Sequence, residues 1–126
     1  MAVFVVDDDP LICALVARVL TRAGLEVRTY ADADTALAAL EANGPIEMLL
    51  TDVSMPGRLD GIDLACRVAA RYPRTPIVLM SGDAGSLARG RELADVTATL
   101  AKPFTIRELD DLDQVLGCWG LRPGGE

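Results

Sequence analysis

The 126-residue sequence contains no histidine. This absence excludes histidine-based catalysis, histidine metal ligands and a role as the donor of a phosphohistidine. Cysteines are also few, and Cys13, Cys66 and Cys118 lack the close spacing that metal-binding and redox motifs require. We therefore expect buried, reduced thiols of a cytosolic protein. Aromatic residues make up only 4% of the chain, so its core must be mainly aliphatic.

Basic residues are in the minority. There are 12 Lys and Arg against 19 Asp and Glu, which gives a net charge of −7. Such a chain is not attracted to a phosphate backbone, so we expect no direct nucleic-acid binding. No apolar run reaches the roughly 20 residues of a membrane span, and no signal peptide is recognisable. We therefore expect no membrane insertion and a cytoplasmic location.

Short apolar runs alternate with segments of helical periodicity, and 51% of the residues are apolar, as in a single folded domain. Five runs are predicted to be strands, at 2–6, 27–30, 48–51, 77–80 and 97–101. Helices are predicted to begin after Asp9, after Asp32 or Asp34, at Ile62, at Ser86 and at Thr105. The last helix, capped by Thr105 and Glu108, is predicted to reach Leu116. Continuously apolar strands are typical of a parallel sheet that is covered on both faces.

Polar residues follow four of the five predicted strands. They are Asp7 and Asp8 after the first, Asp52 after the third, Ser81 after the fourth and Lys102 after the fifth. Because the carboxyl ends of parallel strands lie at one edge of a sheet, we expect these side chains to meet in one shallow cleft.

A cluster of this composition suits a metal ion and a phosphoryl group. Neighbouring carboxylates repel one another, and Mg²⁺ relieves the repulsion because it prefers oxygen ligands. Lys102 can pair with one phosphoryl oxygen, and Ser81 can donate a hydrogen bond to another. Asp52 ends a central strand between the acid pair and the Ser and Lys, so it is the best candidate for a nucleophile that forms an aspartyl phosphate.

The order of these motifs resembles that of the receiver domains of bacterial two-component response regulators. The matching segments are Val5-Val6-Asp7-Asp8, Thr51-Asp52-Val53-Ser54-Met55-Pro56, Leu79-Met80-Ser81-Gly82 and Ala101-Lys102-Pro103-Phe104. The resemblance implies a flavodoxin-like α/β fold, with a doubly wound parallel five-stranded sheet in the order 2-1-3-4-5. It implies a receiver (phosphoacceptor) domain, assigned to residues 1–118. The glycine-rich end of the chain is expected to fray, so residues 119–126 are assigned to a flexible tail.

The resemblance also implies two-component phosphorelay signalling. Asp52 would accept a phosphoryl group from a phosphohistidine on a histidine kinase or a histidine phosphotransfer protein. Mg²⁺ would be bound directly by Asp8, Asp52 and the backbone carbonyl of Ser54, and by Asp7 directly or through water. Ser81 and Lys102 would hold the phosphoryl oxygens. The protein would not be an enzyme in the ordinary sense, since it would catalyse only its own phosphorylation and dephosphorylation.

Further expectations come from the same resemblance. The Lys102–Pro103 peptide bond is expected to be cis, and Ser54 and Asp83 occupy positions that tune dephosphorylation. The signal would pass to a downstream protein target or an attached output module. A homodimer through the last strand–helix face, residues 97–116, is possible.

Two features depart from the pattern. Thr99 stands where the family often carries an aromatic residue that reports the phosphorylated state. The loop after Asp52, residues 55–61, is one residue longer than the commonest form and is similar to loops in receivers of hybrid histidine kinases.

Two alternatives to phosphorelay signalling stay open at this point. A haloacid-dehalogenase-like phosphatase would use Asp7 as its nucleophile, but its later acidic motif would have to come from Asp110, Asp111 or Asp113 inside the last helix. A receiver-like interaction module that is never phosphorylated would usually lack one of the acids or the lysine, and all of them are present.

Overall fold

A computed structural model of the chain describes residues 1–55, 57–93, 95–109 and 111. Its strands form one parallel sheet in the order β2-β1-β3-β4-β5. They are β1 (Val3–Val6), β2 (Val27–Tyr30), β3 (Met48–Asp52), β4 (Ile77–Ser81) and β5 (Ala98–Ala101). The helices are α1 (Pro10–Arg22), α2 (Ala33–Asn43), α3 (Gly61–Arg71) and α4 (Ala84–Arg91). The predicted α/β fold and its strand order are confirmed.

The chain beyond β5 starts a further helix, with helical residues at 106–109 and at 111. The predicted capping box is present, because the Thr105 N–H donates to Glu108 Oε1 and the Glu108 N–H donates to Thr105 Oγ1. The predicted continuation to Leu116 and the proposed tail at 119–126 lie outside the described residues.

Alternate residues of each central strand face opposite sides of the sheet. In β1, Phe4 and Val6 belong to an apolar cluster with α2 and α3, whereas Val3 and Val5 belong to a second cluster with α1 and Leu109. Both faces of the sheet are therefore covered by apolar side chains, which explains why β1, β3 and β4 are apolar at almost every position. The two clusters fix the helices against the sheet and so fix the loops at its carboxyl edge.

An aspartate is the N-cap of each of the helices α1 to α4. Asp9 caps α1 ahead of Pro10, and Asp32, rather than Asp34, caps α2. Asp60 shares a reciprocal capping box with Asp63 at α3. The predicted start of α4 at Ser86 was two residues late, because Asp83 is the N-cap and the helix spans Ala84–Arg91.

Cys13 is buried and Cys66 is exposed, and both thiols are free. The prediction of buried cysteines is therefore right for Cys13 and wrong for Cys66, which lies on the outer face of α3; Cys118 is outside the described residues. None of the helices in the described part of the chain has the length and apolar character that crossing a bilayer would require.

Candidate functional site

The sheet register brings the predicted site residues together at one edge. Val6 of β1 pairs with Thr51 of β3, so Asp7 and Asp52, the next residues along each strand, occupy adjacent positions. On the other side of β3, Ser81 of β4 pairs with Ala101 of β5, and the Lys102 N–H donates to the Ser81 carbonyl at 2.9 Å. Strand pairing alone thus places residues from four distant segments around one cleft.

The centre of the cleft is an ion-paired group of Asp7, Asp52 and Lys102. Lys102 Nζ lies 2.5 Å from Asp7 Oδ2 and 3.4 Å from Asp52 Oδ2. The Asp7 side chain is fully buried, the Asp52 side chain is 10% exposed and that of Lys102 is 19% exposed. Burial this deep is tolerated because each charge has a partner of opposite sign.

The charges of Asp7, Asp52 and Lys102 influence the pKa values of Asp52 and Lys102. Burial raises the pKa of Asp52, and the Asp7 charge adds to this, while Lys102 and the Ser54 backbone act in the opposite direction. Burial would lower the pKa of Lys102, but its hydrogen bond to Asp7 and the charge of Asp52 outweigh that effect and raise it. The neighbouring carboxylates therefore favour the charged form of Lys102 beside Asp52.

Three carboxylates of the cleft are close enough to share a metal ion. Asp7, Asp8 and Asp52 each offer one oxygen, and these oxygens lie within 4.8 Å of one another. Asp8 is exposed and open to solvent, whereas both oxygens of Asp7 have protein partners, namely the Asp9 N–H at 2.9 Å and Lys102. An all-oxygen, net negative donor set of this kind fits a hard divalent cation.

The Ser81 hydroxyl is buried beside the cleft and is oriented by the loop that follows β4. Its oxygen accepts a hydrogen bond from the Asp83 N–H at 3.0 Å, so its own proton remains available to another acceptor. The Asp83 carboxylate points into α4, where it accepts hydrogen bonds from Ser86 Oγ at 2.8 Å and Ser86 N–H at 3.1 Å. The hydrogen bonds from the Ser86 side chain and backbone hold the pKa of Asp83 below its ordinary value.

The loop between β3 and α3 follows directly on Asp52. Ser54 is exposed there, two residues beyond Asp52. Gly61, the first residue of α3, lies directly against Asp52: a Cβ at this position would stand 1.8 Å from the Asp52 carbonyl oxygen. The Gly61 N–H also donates to the Val53 carbonyl at 2.8 Å. Only glycine allows α3 to approach the strand end that carries Asp52 this closely.

Two expectations from the sequence concern β5 and its end. The Lys102–Pro103 peptide bond is cis, as predicted. Thr99 is half-buried, and its hydroxyl accepts a hydrogen bond from Arg91 Nε of α4 at 3.1 Å. The position that often holds an aromatic ring in the family is here a polar link between α4 and β5.

Sequence reasoning named the polar residues at the strand ends but missed the glycine and aspartate that shape the loop beside them. The role of Gly61 could have been predicted from the sequence, because a glycine directly after the capping residue Asp60 indicates that the start of the helix packs closely against another part of the backbone. The role of Asp34 could not: it accepts a hydrogen bond from the Arg58 N–H, 24 residues away, and only the folded chain brings the two together.

Comparison with known proteins identifies the family. Residues 3–112 match the response regulator receiver domain. The chain is 37% identical over 110 residues to the DNA-binding transcriptional regulator NtrC of Salmonella typhimurium, and the match covers 84% of this chain and 22% of that protein. It is 40% identical over 81 residues to the nitrogen assimilation regulatory protein NtrX of Azorhizobium caulinodans, covering 64% and 18%. The chain thus spans about a fifth of the length of these relatives.

Solved structures agree with this result. The receiver domain of NtrX from Brucella abortus superposes with a TM-score of 0.81 at 32% identity, covering 91% of this chain and 98% of that domain. A response regulator from Chloroflexus aurantiacus gives a TM-score of 0.80 at 33% identity, covering 92% and 97%. Neither the phosphatase nor the interaction-module alternative is favoured by these matches. The chain belongs to the receiver-domain family of two-component response regulators.

Proposed function

We propose that Asp52 is the phosphoacceptor of this receiver domain. The observation that supports it most directly is the position of the Asp52 carboxylate, at the end of a central strand, beside Asp7 and 3.4 Å from Lys102 Nζ. The Asp52 side chain is largely buried but keeps 10% of its surface exposed, at the carboxyl edge of the sheet. An incoming phosphoryl group would meet the carboxylate, the lysine and the Ser81 hydroxyl at once.

The proposed reaction is a transfer of the phosphoryl group from a histidine nitrogen to an aspartate oxygen. A carboxylate oxygen of Asp52 forms the new O–P bond as the N–P bond of the donor's phosphohistidine breaks, and the electron pair of that bond returns to the imidazole nitrogen, which takes up a proton. Lys102 and Ser81 bind the phosphoryl oxygens and stabilise the charge that develops on them. The pairing with Lys102 also favours the ionised, nucleophilic form of Asp52.

The acidic group of Asp7, Asp8 and Asp52 fits Mg²⁺. When bound, the cation would offset the negative charge of the phosphoryl group and of the carboxylates around it. We propose Asp8, Asp52 and the backbone carbonyl of Ser54 as direct ligands. Because both Asp7 oxygens already have protein partners, Asp7 would act through a bound water and through its hold on Lys102.

The direct test is phosphorylation by acetyl phosphate with and without Mg²⁺, followed by intact-mass measurement and peptide mapping. We expect a gain of one phosphoryl group that depends on Mg²⁺, that is absent in Asp52→Asn and that maps to Asp52 in the wild-type protein. A label retained by Asp52→Asn but lost in Asp7→Asn would favour the phosphatase alternative instead. A folded wild-type protein that gains no label under any condition would contradict the proposal.

The proposed partners follow from the family. A histidine kinase or a histidine phosphotransfer protein would supply the phosphoryl group, and a downstream protein or an attached output module would receive the signal. Self-catalysed phosphorylation and dephosphorylation would be its only chemistry. A homodimer through β5 and the helix after it is a further proposal; Ile106, 57% exposed, lies on that face.

A further inference from the structure

The loop that carries Ser54 is hydrogen-bonded to α2 through the side chain of Asp34. Asp34 lies in the first turn of α2, and its Oδ2 accepts a hydrogen bond from the backbone N–H of Arg58 at 3.0 Å. Arg58 belongs to the segment between β3 and α3, downstream of Asp52 and Ser54. The N-cap of α2 is Asp32, not Asp34. The Asp34 carboxylate can therefore accept a hydrogen bond from the loop.

The backbone of the loop is shaped around this carboxylate. Gly57 has a φ of +116°, a conformation that side-chain-bearing residues rarely adopt. A Cβ on Gly57 would stand 2.8 Å from Asp34 Oδ2, the same oxygen that accepts the Arg58 hydrogen bond. The carboxylate that accepts the Arg58 hydrogen bond therefore occupies the space that a side chain at position 57 would need, and glycine leaves that space free.

Other contacts also hold the described residues of this loop. At the α3 end, Asp60 caps the helix and the Gly61 N–H donates to the Val53 carbonyl. Met55 and Leu59 pack partly against the apolar cluster of α2 and α3. Among the hydrogen bonds of the described residues, the one from Arg58 to Asp34 is the bond that ties the middle of the loop to another element.

We propose that Asp34 is a positioning residue for the metal site: by holding the loop at Arg58, it sets the path of the backbone that presents the Ser54 carbonyl to Mg²⁺. This inference rests on the proposed function, since it assigns a further residue to the same site. A loop that is already ordered does not lose conformational freedom when the cation binds, so the tether increases the affinity without contacting the metal.

The decisive comparison is between Asp34→Ala and Asp34→Asn. Both remove a negative charge from the neighbourhood of the cation, but only Ala removes the oxygen that accepts the Arg58 hydrogen bond. Mg²⁺ binding is followed by NMR through the backbone amides of Asp8 and Asp52 during titration of the full chain. We expect Asp34→Ala to raise the Kd for Mg²⁺ about 3- to 10-fold, as expected for the loss of one such hydrogen bond, and Asp34→Asn to retain most of the affinity.

A second pair of variants tests the contact from the loop side. Gly57→Ala introduces the Cβ that conflicts with Asp34 Oδ2, so it should also weaken Mg²⁺ binding. In the Asp34→Ala background that conflict is absent, so Gly57→Ala should raise the Kd for Mg²⁺ by a clearly smaller factor. The difference between the two factors measures the coupling between positions 34 and 57. Hydrogen exchange of the Arg58 amide gives a readout independent of the metal: it should be faster in Asp34→Ala than in wild type.

Glu41→Ala is the matched control, because Glu41 is an exposed acid near the other end of α2, and its removal should leave the Kd unchanged.

Equal loss of affinity in Asp34→Ala and Asp34→Asn would overturn the inference, because it would assign the effect to charge alone. Unchanged affinity in a folded Asp34→Ala would also overturn it while leaving the proposed function intact. If Asp34→Ala does not fold, the Arg58 amide decides the question: slow exchange in both the wild type and Asp34→Asn supports the hydrogen bond to residue 34. Fast exchange of that amide in the wild type overturns it. A wild-type protein that binds no Mg²⁺ overturns both proposals.

Discussion

At the scale of single residues, the cleft combines groups that are individually unfavourable. Asp7 and Asp52 are buried carboxylates on adjacent strands, and Lys102 lies between them with a shorter contact to Asp7. The sequence predicted these residues because they follow apolar strands. It could not predict that Lys102 would pair more closely with Asp7 than with Asp52, since that depends on side-chain positions that the strand pattern does not determine.

Removing the charge of Asp52 should stabilise the protein in Mg²⁺-free buffer. Burial raises the pKa of Asp52, so folding disfavours its ionised form, and above that pKa the charge lowers the free energy of unfolding. Lys102 would keep Asp7, its nearer partner. We expect Asp52→Asn to be more stable than wild type near neutral pH, on the order of 1 kcal/mol in urea unfolding.

The pH dependence provides the check on this explanation. As the pH falls through the raised pKa, wild-type Asp52 takes up a proton and becomes neutral like Asn. The advantage of Asp52→Asn should therefore shrink on acidification, measured by urea unfolding at a series of pH values. An advantage that grows on acidification would show that the ionised carboxylate was stabilising and would contradict the pKa direction.

Gly61 offers a test of backbone contact at the site. A Cβ at position 61 would lie 1.8 Å from the Asp52 carbonyl oxygen, and a backbone atom cannot move aside as a side chain can. We expect Gly61→Ala to lower the free energy of unfolding by about 2–4 kcal/mol. Gly82→Ala is the control, since nothing lies within 4 Å of its Cβ position, and it should change stability by about 0.5 kcal/mol or less. Equal effects of the two variants would contradict the structure at Gly61.

At the scale of elements, sequence patterns gave the strands accurately and the helices less so. The predicted 27–30 strand coincides with β2, and the other strand boundaries differ by one residue at most. α4 was the weakest prediction because its apolar face is small: only Ser86, Leu87 and Gly90 are buried. Its start depends on the cap Asp83, a local signal that the hydrophobic pattern does not contain.

Two glycines of α4 should respond oppositely to alanine. Gly90 packs against the sheet, and a Cβ there would lie 2.4 Å from Cδ1 of the fully buried Leu79, whereas the Cβ of residue 85 would meet ordinary contacts. Gly85→Ala should raise the free energy of unfolding by about 0.5–1 kcal/mol, because alanine has the higher helix propensity. Gly90→Ala has the same advantage in propensity, but overpacking against Leu79 should lower the free energy of unfolding by about 1–3 kcal/mol. Gly90→Ala should therefore be the less stable variant in thermal unfolding. A Gly90→Ala protein as stable as Gly85→Ala would mean that α4 packs farther from β4.

At the scale of the whole molecule, the topology creates the site. Parallel strands leave all their carboxyl ends at one edge, so a chain with few charged residues inside its strands can still bring three carboxylates and a lysine together. This part of the site was predictable from strand order. The Asp34 tether was not, because α2 and the β3–α3 loop are neighbours only after both helices pack on the same face.

The acidity of the whole chain should act on the same cleft. With a net charge of −7 and three clustered carboxylates, cation binding to the folded state relieves repulsion that the unfolded chain spreads over a larger volume. Mg²⁺ should therefore raise Tm, and the increment should be larger at about 0.1 M than at about 1 M KCl, because salt screens the attraction. Asp8→Asn should reduce the increment, since Asp8 is the open ligand, while Glu41→Gln should preserve it. Differential scanning calorimetry at both salt concentrations measures the effect, and an equal increment in Asp8→Asn would place the cation outside this cleft.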